Sequence, residues 1–172
     1  MSVARSISQS YPVPIHRELD GKPEEYIVHE DLMNGNLEVA GAGGGEVFDD
    51  WGDGTTVAGT STVTHDTTQG YGGGACGKWT MDATPNQASS KYVGILEVGE
   101  RYRAIFWAKA SANGVKCEES QTSTVLATMT TEWARYVYEF TATSLNFGWK
   151  RNFATCANQT FWIDNVSIIK LS

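Results

Sequence analysis

"TFWIDNVSIIKLS", residues 160–172, closes the chain with bulky apolar and β-branched side chains in the pattern of a strand, yet Asp164-Asn165 interrupts it. A carboxylate in such a place needs a reason. Buried and unpaired it would cost several kcal/mol or be forced to neutralise, so Asp164 calls for a strong partner, a solvated position or a metal. An Asx side chain that accepts backbone N–H groups at a turn or bulge is one such partner arrangement.

The same strand pattern recurs upstream. In "RYRAIFWAKA" (101–110), Tyr102, Ala104, Phe106 and Ala108 form one alternate set and Arg103, Ile105, Trp107 and Lys109 the other. The first set is expected to face the core. In "WARYVYEFT" (133–141), Ala134, Tyr136, Tyr138 and Phe140 oppose Trp133, Arg135, Val137 and Glu139, and "LNFGWKRNF" (145–153) puts Leu145, Phe147, Trp149 and Phe153 on one parity. Short strands are expected in 25–33 and 36–41 on either side of Asn34-Gly35, with long loops joining short strands in the Gly/Thr/Asp-rich stretch 41–79. No helical stretch of useful length interrupts them, so the fold class is all-β, an antiparallel β-sandwich.

A chain of 172 residues is most simply one domain with a sizeable core, and its 18 glycines against 4 prolines suit tight turns between strands. Residues 1–25 are polar, carry three of the prolines and lack any sustained period, which makes them a flexible or partner-bound arm ahead of a domain at 26–172. The net charge of −7, without a stripe of Lys or Arg, argues against nucleic acid as partner. No apolar run is long enough to span a bilayer, and residues 1–25 lack the apolar core of a secretory signal. Cys76, Cys117 and Cys156 cannot all pair, and none has zinc spacing; Cys117 and Cys156 either form one disulfide or are small buried apolar residues.

Four segments in this order, "NGNLE", "LEVGERYRAIFWAKAS", "MTTEWARYVYEFTAT" and "FWIDNVSIIKL", resemble the carbohydrate-binding modules of the galactose-binding-like jelly-roll type, the group of xylan- and glucan-binding modules attached to glycoside hydrolases. The resemblance covers about residues 34–171 and implies a jelly roll. It also implies a structural calcium ion tying the first strand to the last, held here by Glu38 and Asp164. Two carboxylates from opposite ends of the chain repel when adjacent, and a hard cation among oxygens removes that repulsion.

Trp107, with Arg103 and Lys109 on its parity, is the first candidate for ligand binding. Sugar rings lay their C–H faces on aromatic rings while Arg and Lys bond their hydroxyls, so this mixture suits a glycan groove; equally, Trp107 packs under the arm or a loop. Trp51, Tyr71 and Trp79, in or beside the glycine-rich loops, are second candidates, and Trp133 reads as a core plug. Asp49, Asp50 and Asp53 around Trp51 meet no EF-hand spacing and read as a solvated loop or ligand rim. "GYGGGACG" lacks the Lys-Ser/Thr of a phosphate loop, and no His, Ser or Cys stands in a catalytic pattern. The expected protein is therefore non-catalytic. It is a virion accessory protein of a phage (decoration or fibre-associated) with glycan-binding capacity, or a carbohydrate-binding module excised from a secreted glycoside hydrolase. Its place is the virion surface or the extracellular space, and its partners are a glycan or cell-surface polysaccharide and, through the arm, other virion proteins.

Overall fold

The computed structural model describes residues 27–28, 37–41, 46–48, 51–53, 61–83, 89–92, 95–120, 122–151 and 154–171. The arm 1–25, Asp49, Asp50 and Phe153 lie outside the described residues. Two antiparallel sheets pack face to face. The first has the order β10 (Ala134–Thr141), β7 (Arg101–Ala110), β12 (Thr160–Leu171), β5 (Cys76–Thr80), β4 (Thr62–Asp66). Its remaining strand, β1 (Ile27–Val28), pairs with Ile169 and Lys170 of β12. The second sheet has the order β2 (Glu46–Phe48), β3 (Trp51–Asp53), β6 (Ser89–Tyr92), β11 (Phe147–Arg151), β8 (Val115–Glu119), β9 (Val125–Met129). The fold is an all-β jelly roll. Among the described residues no helix is long and apolar enough to cross a membrane.

β7 shows why these residues make a sandwich. Its burial alternates along the whole strand, with Tyr102, Ala104, Phe106 and Ala108 fully buried. The alanines leave room beside Phe106 and Tyr102 for large rings from the facing sheet, so the two layers interdigitate. Phe106 meets Trp149 edge-on at 5.5 Å, and Trp149 stacks on Trp51 at 5.2 Å. Trp79 lies flat on Phe161 at 5.2 Å.

Trp51 is not a loop aromatic but a strand residue, 1 % exposed against Trp149, and Trp79 is likewise in the core. Strand β3 is three residues long, too short to betray its facing by alternation. Leu145 precedes β11 and is exposed, while Phe147 and Trp149 are fully buried. No disulfide joins Cys117 to Cys156: both are buried thiols, and Cys156 donates from Sγ to the Lys116 carbonyl.

The interruption at Asp164-Asn165 is a β-bulge. Asp164 opposes Trp107 and Ser167 opposes Ile105, so β12 carries one residue more than β7 between those pairs. Asn165 takes a positive φ of 48°, which Asn tolerates better than other side chains. The bulge flips the strand's parity: Phe161 and Ile163 face the core before it, Val166 and Ile168 after it. Asp164 thereby stays on the outer side, in register with Trp107.

Candidate functional site

On the outer side of the first sheet, Asp164 is covered and only 1 % exposed. Its Oδ1 accepts the Asn165 N–H at 2.7 Å and its Oδ2 the Tyr71 N–H at 2.7 Å. The second bond fastens the Gly70–Ala75 loop to the sheet. At the loop's other end, Glu38 Oε2 accepts the Ala75 N–H at 2.9 Å. One loop is thus held at both ends by carboxylates from distant parts of the chain. Burial pushes the Asp164 carboxyl up to about 6 from 3.8, against the lowering effect of its two N–H bonds, and the negative charge of Glu38 adds to the rise.

The loop is glycine-rich for two reasons: Gly72, Gly73 and Gly74 take positive φ, and at Gly70 and Gly74 there is no room for a side chain. Gly74 has a φ of 107°, and a Cβ there would run into the Glu38 carboxylate. Gly70 would meet the backbone of Gly74 and Ala75 in the same way. Gly74→Ala is expected to lower stability by about 1–3 kcal/mol through backbone strain and loss of the Glu38 anchor. A thermal melt unchanged by this substitution would show that the loop relaxes freely.

Held in this way, Tyr71 lays its ring on Trp107, with centroids 3.7 Å apart and planes 13° from parallel. Tyr71 is 36 % exposed and Trp107 is half-buried beneath it. Trp107 therefore lies under a loop and offers Tyr71 a shelf, while Tyr71 presents the outermost ring. Trp133 stands edge-on to Tyr71 at 6.1 Å. Lys109 Nζ sits 5.0 Å from the Trp133 ring and 5.2 Å from the Trp162 ring, and donates to Gln69 Oε1 at 2.7 Å. Trp162 is fixed by its Nε1–H, which donates to Asp66 Oδ2 at 3.1 Å.

Asp66 also takes the N–H and hydroxyl of Thr68 and lies 3.6 Å from Lys78 Nζ. Burial pushes its carboxyl up, but the bonds from Thr68 and Trp162 and the charge of Lys78 outweigh it and hold the pKa at about 2. Asp66 is thus an anion at neutral pH and a firm anchor for Trp162.

Of the residues picked from the sequence, the structure brings together Tyr71, Trp107 and Lys109. Arg103 shares their side of the sheet, but its guanidinium is engaged by Glu139 at 2.7 and 2.9 Å. Trp51 is on the far side of the core. Trp133, expected as a core plug, is half-buried in the outer cluster, and Trp162 joins it without having been singled out. Both were readable from alternation: Trp133 has the parity of Arg135 and Glu139, and Trp162 lies between the core residues Phe161 and Ile163. Aromatic faces, two lysines and a fixed carboxylate can stack on and hydrogen-bond a neutral polyhydroxylated ligand. Cys76 nearby is no nucleophile at neutral pH, since burial pushes its thiol up to about 12.

No protein-family model matches this chain, and no curated protein sequence matches it. Solved structures do. The CBM22-1–GH10 modules of endo-1,4-β-D-xylanase 10B from Clostridium thermocellum, complexed with xylohexaose, are similar at a TM-score of 0.55 and 16 % identity, over 78 % of this chain and 27 % of that one. The enzymatically active domain of tailspike protein 4 from bacteriophage CBA120 matches at 0.53 and 13 % identity, over 81 % and 21 %. The CBM22-2 xylan-binding domain of Paenibacillus barcinonensis Xyn10C matches at 0.50 and 13 % identity, over 79 % and 97 %. The chain spans about a quarter of the xylanase and tailspike chains and nearly all of the isolated module. It is an antiparallel jelly-roll sandwich. Its fold is that of the carbohydrate-binding modules, as the four sequence segments imply.

Proposed function

We propose that the chain is a non-catalytic glycan-binding protein built on this jelly roll, and that it works as a decoration or fibre-associated accessory protein of a phage virion. The observation that carries glycan binding is the outer-face cluster, in which Tyr71 and Trp133 offer ring surface, Trp107 supports Tyr71, and Lys109 stands between Trp133 and Trp162. A sugar ring stacks on Tyr71 or Trp133 and takes hydrogen bonds from Lys109, with Arg103 farther along the same face. The ligand is a cell-surface polysaccharide, met at the virion surface or outside the cell, and residues 1–25 are the contact to other virion proteins. Likeness to the phage tailspike domain supports the virion setting. Likeness to the xylan-binding domain supports a second reading, a module of a secreted glycoside hydrolase. A glycan array probed with the whole chain tests both: bacterial surface polysaccharides as the bound class favour the first, and plant xylans or β-glucans the second. Binding to neither class overturns glycan binding itself.

Calcium belongs to the same proposal. Glu38 and Asp164 would hold it, and their chemistry fits: two carboxylates, one raising the pKa of the other, converge on a loop full of carbonyls. Among the described residues no third acidic, His or Cys side chain completes the cluster, so carbonyls and water would supply the rest of the about six to eight oxygens. Without a cation, the raised Asp164 pKa adds stability that is full below about 3.8 and is lost as pH rises through about 6. Calcium opposes that loss by favouring the ionised form. At neutral pH, saturating calcium is expected to add about 2.7 kcal/mol at one hundred times its dissociation constant, and Asp164→Ala abolishes the gain. Thermal melts that coincide in calcium and in chelator would remove the ion from the proposal.

A further inference from the structure

A cavity opens between the sheets at the β9–β10 edge, on the core-facing side of β10 and away from the outer aromatic cluster. Its volume is about 180 Å³. Strand β10 has eight residues and β9 five, so the last inward rings of β10, Tyr138 and Phe140, outrun the strand opposite and remain half-buried. They stack on each other at 5.7 Å and 15° and form one wall. Thr122 and Thr124 from the β8–β9 turn, and Asn146 from the β10–β11 connection, form the rim.

Glu119 is the unexpected member of the lining. It opposes Trp149 in the ladder and therefore points to the core-facing side, where it is 5 % exposed. A carboxylate there costs several kcal/mol unless it is bonded. The Thr122 N–H at 2.5 Å and the Ser120 hydroxyl at 3.2 Å hold it in place on the cavity wall.

We propose that this cavity is a binding site for a single neutral sugar ring. A dry cavity of about 150 Å³ takes benzene, and a pyranose with its hydroxyls is larger, so this volume receives one sugar ring with its outer hydroxyls left in solvent and is below the about 300 Å³ at which pockets for larger ligands begin. The stacked Tyr138–Phe140 pair meets the ring's C–H face, the Glu119 carboxylate accepts from ring hydroxyls, and Thr122, Thr124 and Asn146 complete the polar side. A formally anionic ligand is disfavoured by Glu119. The site selects a free monosaccharide or a chain end, whereas an exposed face such as that around Tyr71 accepts the middle of a chain.

The test is a titration of the isotope-labelled whole chain with D-glucose, D-galactose, D-mannose and D-xylose at millimolar concentrations, read by amide NMR shifts. At least one sugar is expected to give saturable shifts confined to residues 119–124 and 138–146. Thr143→Trp, which plugs the cavity from an exposed rim position, and Glu119→Gln should each weaken it by about tenfold or more. Thr143→Trp leaves the Glu119 bonds intact, so it remains decisive if Glu119→Gln unfolds the turn. No shift of those amides with any of the four sugars, or shifts that survive Thr143→Trp, overturns the proposal. Shifts at Tyr71, Trp133 and Trp162 instead would belong to the outer face, so failure here and failure of glycan binding there are read separately.

Discussion

Phe106→Ala should lower the stability of the domain by about 3–5 kcal/mol, a large part of the about 5–15 kcal/mol that holds a typical domain together. Phe106 is fully buried at the centre of β7, wedged against Trp149 at 5.5 Å and Tyr136 at 5.8 Å. Its neighbours on the same side, Ala104 and Ala108, are too small to fill the space it leaves, so the cavity persists and its cost is near the top of the range. Trp107→Ala, one residue along and on the other side of the sheet, should cost about 1 kcal/mol, mostly its stacking with Tyr71. Denaturant melts of the two variants decide the facing of β7. If Trp107→Ala proved the more damaging, the core would be on the wrong side of the sheet.

The largest expected effect on binding is at Tyr71 and Trp133. Truncating a well-packed aromatic anchor costs about 2 kcal/mol or more, close to a thirtyfold loss of affinity, so Tyr71→Ala with Trp133→Ala should reduce glycan binding at least that far. Stability should fall by only about 1–2 kcal/mol, through the ring contacts that Tyr71 makes with Trp107 and Trp133. Tyr71 is held by its backbone N–H, which the Asp164 carboxylate still accepts in the variant, and the loop's other end remains on Glu38. Trp107→Ala should weaken binding as well, because Tyr71 loses the ring it lies on. Titration calorimetry with a glycan bound on the array measures all three. Wild-type affinity in the double variant would move the site elsewhere.

The sandwich could be read from the sequence wherever a strand was long enough to alternate. Ten residues of β7 and eight of β10 declare their buried sides without help. The three residues of β3 do not, so Trp51 reads as a loop aromatic although it is a core residue. Asp164 could be singled out as a residue needing a partner, but the partner could not be found: Tyr71 is 93 positions away, and only the folded register brings its N–H to the carboxylate. The bulge was equally hidden. One inserted residue reverses the parity of β12 halfway along, so counting alternate residues from either end misplaces the other half. Trp133 differs: its position after a turn suits a core plug, but its parity with Arg135 and Glu139 puts it on the outer side.

The six tryptophans provide the most direct test of the central claim, that glycan is bound on the outer side of the first sheet. Trp107, Trp133 and Trp162 belong to the outer cluster, whereas Trp51, Trp79 and Trp149 are buried in the core at 1 % exposure or less. Each indole N–H gives its own NMR signal, so a titration with a bound glycan reads all six at once. The account predicts saturable shifts of the three outer indoles and unmoved signals from the three in the core. A glycan that binds while all three outer indoles stay still would contradict it.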